Sequence, residues 1–163
     1  MRKPIIAGNW KMHNTISEGM KLIRALVPLV KGVRHTEIVV CPTATALAVV
    51  TSTLRGKNIE VGAQNVHWEK DGAYTGEVSA PMLKEIGVKY AIVGHSERRQ
   101  YFGETDESVN KRAHAAFAAG ITPIICVRES LATREKGTYL RFVARQVRLA
   151  TAGFTPAETA RLV

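Results

Sequence analysis

The sequence predicts a single α/β domain, residues 1–163, with a parallel β-sheet at its centre. Two observations lead to this prediction: five short apolar runs rich in β-branched residues recur along the chain, and a segment of helical character follows each of them. The runs are continuously apolar rather than alternating, which is typical of strands buried on both faces. Strands that alternate with helices pair in parallel, because each helical crossover returns the chain to the same end of the sheet.

The limits of these elements follow from where the apolar runs and helical patterns stop. The predicted strands are Pro4–Ala7, Glu37–Cys41, Ile59–Gly62, Tyr90–Val93 and Ile121–Val127. The predicted helices are Ile16–Val30, Ala44–Leu54, Ala80–Ile86, Glu107–Ala119 and Ala132–Ala150. Ser79 and Thr105 precede two of these helices as capping residues. The run Thr155-Pro156-Ala157-Glu158 has the form of a capping box, so one more helical turn is expected there.

The amino-acid composition argues against several classes of protein. Only two cysteines occur, Cys41 and Cys126, and they lie far apart, so neither a disulfide framework nor a zinc cluster is expected. No apolar stretch has the length of a signal peptide or a membrane span, which predicts a cytoplasmic protein that does not bind membranes. The net charge is +9, but the basic residues lack the aromatic interleaving and motifs of nucleic-acid-binding domains. A nucleic-acid binder is therefore the least favoured class.

Two architectures fit five βα units. A doubly wound open sheet suits the chain length, whereas a (β/α)₈ barrel needs roughly 250 residues and would be present only in part. Both architectures bind ligands beyond the carboxyl ends of their strands. Periodicity does not distinguish them, so the residues that follow the strands carry the argument.

Polar residues follow three of the predicted strands closely. They are Asn9 and Lys11 after the first, Gln64 and Asn65 after the third, and His95, Ser96 and Glu97 after the fourth. No glycine-rich dinucleotide loop or phosphate loop accompanies them, so no nucleotide cofactor is expected. The sequence instead predicts that an amide, an ammonium, an imidazole and a carboxylate converge.

Each of these groups has a chemical role and a plainer alternative. Lys11 is a point charge suited to a phosphate or a developing oxyanion, and otherwise a surface lysine. His95 is expected at the start of a helix with Ser96 as its N-cap, where the helix dipole disfavours imidazolium and leaves a neutral ring able to donate to a carbonyl. Alternatively, His95 is a structural turn residue. Glu97 either holds Lys11 in position or merely favours the helix start.

Taken together, the runs resemble the triosephosphate isomerase family. They are Gly8-Asn9-Trp10-Lys11-Met12, Val61-Gly62-Ala63-Gln64-Asn65, Gly72-Ala73-Tyr74-Thr75-Gly76-Glu77 and Val93-Gly94-His95-Ser96-Glu97-Arg98-Arg99. Tyr101–Asp106 and the strand ending in Cys126-Val127 also match. The resemblance implies a partial (β/α)₈ TIM barrel of about five βα units. It also implies interconversion of dihydroxyacetone phosphate and glyceraldehyde 3-phosphate in glycolysis and gluconeogenesis, with neither cofactor nor metal.

The resemblance also assigns roles to residues. Asn9 and Lys11 match the substrate-binding pair, and His95 matches the catalytic electrophile, for which this family is itself a well-known case of a neutral histidine at a helix N-terminus. Glu97 matches the acid beside the lysine, and Ser96 supports the histidine. Thr75 matches the tip of a loop that inserts beside a partner subunit's active site, with Gln64 and Asn65 assigned to the same contact. A homodimer is implied.

Two departures from the family pattern qualify these expectations. The chain reaches Val163 ahead of the sixth strand, the family's catalytic glutamate and its phosphate loops, so we expect it to be inactive alone and to self-associate through open strand edges. A non-catalytic folding fragment or an anion-binding scaffold is the alternative. Arg128 stands where the family commonly has glycine. Either this turn requires positive φ and the arginine costs about 1 kcal/mol, or the turn tolerates it.

Overall fold

A computed structural model describes residues 2–163 and shows five parallel strands in sequential order. The strands are β1 (Ile5–Asn9), β2 (Glu37–Cys41), β3 (Glu60–Ala63), β4 (Tyr90–Val93) and β5 (Thr122–Ile125). Every neighbouring pair is parallel. The parallel α/β prediction is therefore confirmed for these residues, and Met1 of the predicted domain lies outside them.

The helices follow the predicted pattern with one error. They are α1 (Ile16–Val30), α2 (Leu47–Leu54), α3 (Ala80–Glu85), α4 (Ser96–Tyr101), α5 (Asp106–Ala118), α6 (Leu131–Glu135), α7 (Tyr139–Ala150) and α8 (Pro156–Thr159). The single helix predicted over Ala132–Ala150 is wrong, because the chain turns at Gly137 and divides it into α6 and α7. The capping box of α8 forms as predicted, with Thr155 and Glu158 satisfying each other's backbone amides.

The packing of apolar residues on the two faces of the sheet shows that it is curled. Alternate residues of β2 and β4 point to opposite faces, so Val40 and Ala91 pack against the helices whereas Val39 and Ile92 pack on the other side. On that second side, Ile5 of β1 and Ile124 of β5 pack against one cluster although they belong to opposite edges of the sheet. The Arg2 guanidinium donates to the Leu162 carbonyl across the same gap. The five strands thus form part of a barrel, and the open-sheet alternative is wrong.

One edge of the sheet is less open than the sequence predicts. The Val163 amide donates to the Pro123 carbonyl (3.1 Å), and the Ile125 amide donates to the Val163 carbonyl (2.7 Å), in the manner of a further strand beginning beside β5. Leu162 is buried. At the other edge, Ile6 of β1 is 68% exposed. Among the described residues, the edge left open is that of β1.

The helices of the described residues do not meet the requirements of a membrane span. None of the helices within residues 2–163 combines the length and the apolarity needed to cross a bilayer.

The turn between β4 and α4 is closely packed. Gly94 has φ +72°, and an added Cβ there would lie 2.9 Å from Val109 Cγ2 and 3.0 Å from the Cys126 carbonyl oxygen. Gly103 has nearly the same conformation, φ +68°, but has nothing within 4 Å of the corresponding position. Substitutions at the two glycines therefore have the same backbone strain and differ in steric crowding.

We predict that Gly94→Ala lowers the free energy of unfolding more than Gly103→Ala does. In both variants an alanine has to adopt positive φ, which lowers the free energy of unfolding by about 1 kcal/mol. Gly94→Ala also crowds packed atoms, which costs roughly a further 1–3 kcal/mol. Urea denaturation of both variants measures the difference, and equal losses would contradict the close packing described for this turn.

Candidate active site

The loop after β1 is held by amide side chains. Asn9 is the last residue of β1, and its Oδ1 accepts from the Lys11 amide at 2.9 Å, closing a tight turn in which Lys11 has φ +53°. Gln64, just after β3, donates from Nε2 to the Lys11 carbonyl and to the Cys41 carbonyl, both at 2.9 Å. One amide group therefore joins the carboxyl ends of the first three strands. It also fixes the backbone that presents the Lys11 ammonium.

His95 caps the helix that follows β4. Its Nδ1 accepts from the Glu97 amide at 3.3 Å, in the way that an asparagine or aspartate oxygen usually caps a helix. Because Nδ1 is the acceptor, the proton of the neutral ring lies on Nε2, which is then available as a donor. The prediction that Ser96 is the N-cap is wrong: Ser96 is the first residue of α4, because the helix begins one residue earlier than predicted and the His95 ring caps it.

Glu97 contacts both the lysine and the histidine. Its Oε1 lies 2.8 Å from Lys11 Nζ, and its backbone amide donates to His95 Nδ1 at 3.3 Å. The hydrogen bond from Lys11 lowers the pKa of Glu97, partial desolvation acts in the opposite direction, and the charge of Lys11 lowers it further. Glu97 is therefore ionised at neutral pH and its carboxylate is already engaged by an ammonium group.

These side chains share one cleft at the carboxyl ends of the strands. Its volume is about 350 Å³, and Asn9, Lys11, His95 and Glu97 all line it. The convergence that the sequence predicts is therefore present in the structure. Ser96 and Thr75 are not among the lining residues, and Gly76 is the part of the loop around Thr75 that reaches the cleft.

A buried carboxylate that the sequence argument passed over lies behind His95. Glu104 accepts from the Gly94 amide at 3.2 Å, forms an ion pair with Arg98, and has Arg112 Nε 3.5 Å away. Its side chain is only 2% exposed, so these partners offset the cost of burying its charge. Glu104 lies within the matched run Tyr101–Asp106, but nothing in that run reveals that it reaches back to Gly94.

The loop that carries Thr75 is fixed at its base and exposed at its tip. His67 is buried; its ring stacks on Trp68, with centroids 4.2 Å apart, and lies tilted against Tyr74, with centroids 4.5 Å apart. Asn65 Nδ2 donates to Glu77 Oε2 at 3.2 Å, closing the base of the loop. Thr75 itself is exposed. Gln64 and Asn65, assigned to the partner contact, both make hydrogen bonds within this chain.

The two cysteines are unsuited to nucleophilic chemistry. Burial raises the pKa of Cys41 to about 12, and burial also raises that of Cys126, so both remain protonated thiols at neutral pH. Within residues 2–163, no group of three or more histidine, cysteine or acidic side chains is arranged to hold a metal ion.

Comparison with known proteins places the chain in a family. A sequence model described as triosephosphate isomerase matches residues 4–163. The chain belongs to the triosephosphate isomerase family. It is 55% identical over 163 residues to the triosephosphate isomerase of Moorella thermoacetica, and 53% identical over the same length to that of Clostridium acetobutylicum. Each match covers 100% of this chain and 65% of the relative.

A solved triosephosphate isomerase has the same fold. The crystal structure of the enzyme from Bartonella henselae superposes with a TM-score of 0.90 at 38% identity, covering 99% of this chain and 66% of that one. The chain thus spans about 65% of the length of the triosephosphate isomerases it matches. The partial TIM barrel expected from the sequence is confirmed.

The departure from the family pattern at Arg128 is accommodated without a strained backbone. Among the described residues other than glycine, only Lys11 and Asn14 have positive φ. Of the two alternatives left open by the sequence, the structure therefore supports a turn that tolerates arginine.

We predict that Lys11→Met raises the pKa of Glu97 towards that of an ordinary carboxyl group. The variant keeps the length of the side chain and removes the hydrogen bond that lowers this pKa. A pKa that is lowered on folding contributes stability above the unfolded value, and the contribution disappears as the pH falls through the folded value. Lys11→Met should therefore weaken the acid-side pH dependence of stability. An NMR pH titration of the Glu97 side chain measures the shift.

Lys111→Met is the matched control, because Lys111 forms an equivalent pair with Glu107, whose pKa is also lowered. This control should raise the pKa of Glu107 and leave Glu97 unchanged. If Glu97 titrated at the same pH with and without Lys11, the pairing described here would be wrong.

Proposed function

We propose that this chain supplies the N-terminal part of a triosephosphate isomerase active site, for the interconversion of dihydroxyacetone phosphate and glyceraldehyde 3-phosphate in glycolysis and gluconeogenesis. Asn9 and Lys11 bind the substrate, His95 polarises its carbonyl, and Glu97 positions Lys11. The observation that carries the proposal is the meeting of the Lys11 ammonium and the His95 ring in one cleft, where the Glu97 carboxylate pairs with Lys11 and the Glu97 amide donates to His95.

The chemistry of the cleft suits an anionic substrate with a carbonyl group. The Lys11 ammonium balances the charge of a phosphate or of an oxygen that becomes negative during the reaction. When a proton leaves the carbon beside a carbonyl, negative charge builds up on the carbonyl oxygen. A donor fixed in advance at His95 Nε2 stabilises that charge without reorganising, and a neutral imidazole also exchanges protons between neighbouring oxygens.

The proposal includes inactivity of residues 1–163 on their own. Removing a proton from carbon needs a positioned base, which contributes typically about 10²–10⁴-fold in rate. Among the described residues that line the cleft, Glu97 is the only carboxylate, and Lys11 already engages it. These residues bind and polarise, so a base from outside them has to complete the reaction.

The activity test compares this chain alone with a chimera that continues it with the remaining third of the Moorella thermoacetica relative. We predict isomerase activity in the chimera and none in the chain alone. His95→Gln should lower kcat of the chimera by about 10²-fold or more, because the fixed donor is lost. The control is His35→Gln, which alters an exposed histidine outside the cleft.

Two results would count against the proposal. Activity of residues 1–163 alone that disappears with His95→Gln would show that no outside base is needed. Full activity of the His95→Gln chimera would remove His95 from the mechanism.

We also propose that the chain forms a homodimer through the loop that carries Thr75. The base of this loop is fixed by the stacking of His67 on Trp68 and by the Asn65–Glu77 hydrogen bond, while Tyr74, next to Thr75, is 44% exposed. A fixed loop with an exposed aromatic residue is suited to insertion into a partner, because little conformational entropy is lost on binding. The free cysteines fit a reducing compartment, so we propose a cytoplasmic location.

Sedimentation velocity tests the dimer. We predict that Thr75→Arg converts it to monomer, whereas Ala118→Arg, at the exposed end of α5, leaves it intact. The competing mode is association through the open edge of β1. A dimer that survives Thr75→Arg but is lost with Ile6→Lys, a charge on that exposed edge, would show that the edge and not the loop forms the contact.

A further inference from the structure

Arg128 connects the loop after β5 to two helices. Its backbone amide donates to Gln146 Oε1 of α7 at 2.8 Å, and Gln146 is buried. Its guanidinium Nη1 donates to the Ser96 carbonyl at 3.2 Å and to Gln100 Oε1 at 3.3 Å, both in α4. A glycine at this position could make the first of these contacts but neither of the other two.

Helix α4 depends on such polar contacts for its position. It has only six residues and none of them is buried, so apolar packing contributes little to holding it. Arg98 and Arg99 hold it through ion pairs with Glu104 and Asp106 respectively. Arg99 also donates to the Gly94 carbonyl at 2.8 Å and to the Cys126 carbonyl at 3.5 Å. The contact with the Ser96 carbonyl comes from Arg128, in the loop after β5.

The first turn of α4 determines the geometry of the site. Glu97 follows Ser96 directly, its amide donates to His95 Nδ1, and its carboxylate pairs with Lys11. A shift of the Ser96 peptide therefore moves the group that selects the His95 tautomer and the group that holds the ammonium.

We propose that Arg128 is a positioning residue, which fixes the first turn of α4 and thereby keeps the proton of neutral His95 on Nε2. The catalytic part of this inference rests on the proposed function, whereas the structural part does not. Arg128 touches neither the substrate cleft nor His95 directly, so its effect passes through Ser96 and Glu97.

The structural test uses residues 1–163 with Arg128→Ala and, as matched control, Arg145→Ala, which removes an exposed arginine of α7. Amide hydrogen exchange within α4 should accelerate by about tenfold in Arg128→Ala, as expected for loss of hydrogen bonds from a charged donor. The ¹⁵N signals of the His95 ring should change from one tautomer, with Nδ1 unprotonated, to a mixture of two. The control should change neither readout.

Arg128→Lys keeps the charge and the turn but replaces the planar guanidinium, whose Nη1 donates to both acceptors, with a shorter ammonium side chain, so it should give intermediate exchange. If Arg128→Ala destabilises the whole chain, Arg128→Lys is the variant on which both readouts are measured. The proposal would be overturned if Arg128→Ala and Arg128→Lys both gave the hydrogen exchange and the His95 ring signals of the unsubstituted chain. Changes no larger than those of Arg145→Ala would overturn it as well.

Kinetics of the chimera separate this inference from the proposed function. Arg128→Ala should lower kcat more than it raises KM, because the donor to the carbonyl loses its positioning contact, whereas the Lys11 backbone stays held by Asn9 and Gln64. A chimera without activity in which α4 still loosens would reject the isomerase function and keep the role of Arg128. An active chimera with unchanged kcat and unchanged exchange in Arg128→Ala would reject that role and keep the function.

Discussion

Lys11 and Glu97 follow the first and the fourth strands, which two further strands separate in the sheet. Their ion pair forms because the sheet curls and brings the carboxyl ends of these strands around a common cleft. The same curl lets Ile5 and Ile124, from opposite edges, pack against one apolar cluster. Barrel curvature is thus the constraint on which the site depends, since the site's groups come from loops that are far apart in sequence.

Within this curved sheet, polar contacts rather than apolar packing fix the side of the cleft that carries His95. Glu104 is buried behind the turn that leads to His95 and accepts from the Gly94 amide. Its charge is tolerated because Arg98 and Arg112 lie beside it. Gln64 fixes the backbone of Lys11 in a similar way, because it donates both to the Lys11 carbonyl and to the Cys41 carbonyl. Networks of this kind hold side chains in one orientation, which is the requirement for stabilising charge in a transition state.

The sequence predicted what depends on periodicity and topology. The limits of β2, β4 and α1 follow from where the apolar runs and the helical pattern stop, and convergence at the carboxyl ends follows from parallel pairing. The sequence did not predict contacts that depend on how far one particular side chain extends. Ser96 looks like a cap, but the His95 ring takes that place. A single residue, Val163, gives no pattern from which pairing with β5 could be predicted.

The central claim is that Glu97 lies between Lys11 and His95. Nuclear Overhauser effects measured on the isotope-labelled chain test this most directly. The structure predicts cross-peaks from the Glu97 side chain to the terminal methylene of Lys11 and to the ring protons of His95, because both partners lie within 3.5 Å of its carboxylate. Cross-peaks to one partner alone, or to neither, would contradict the shared site.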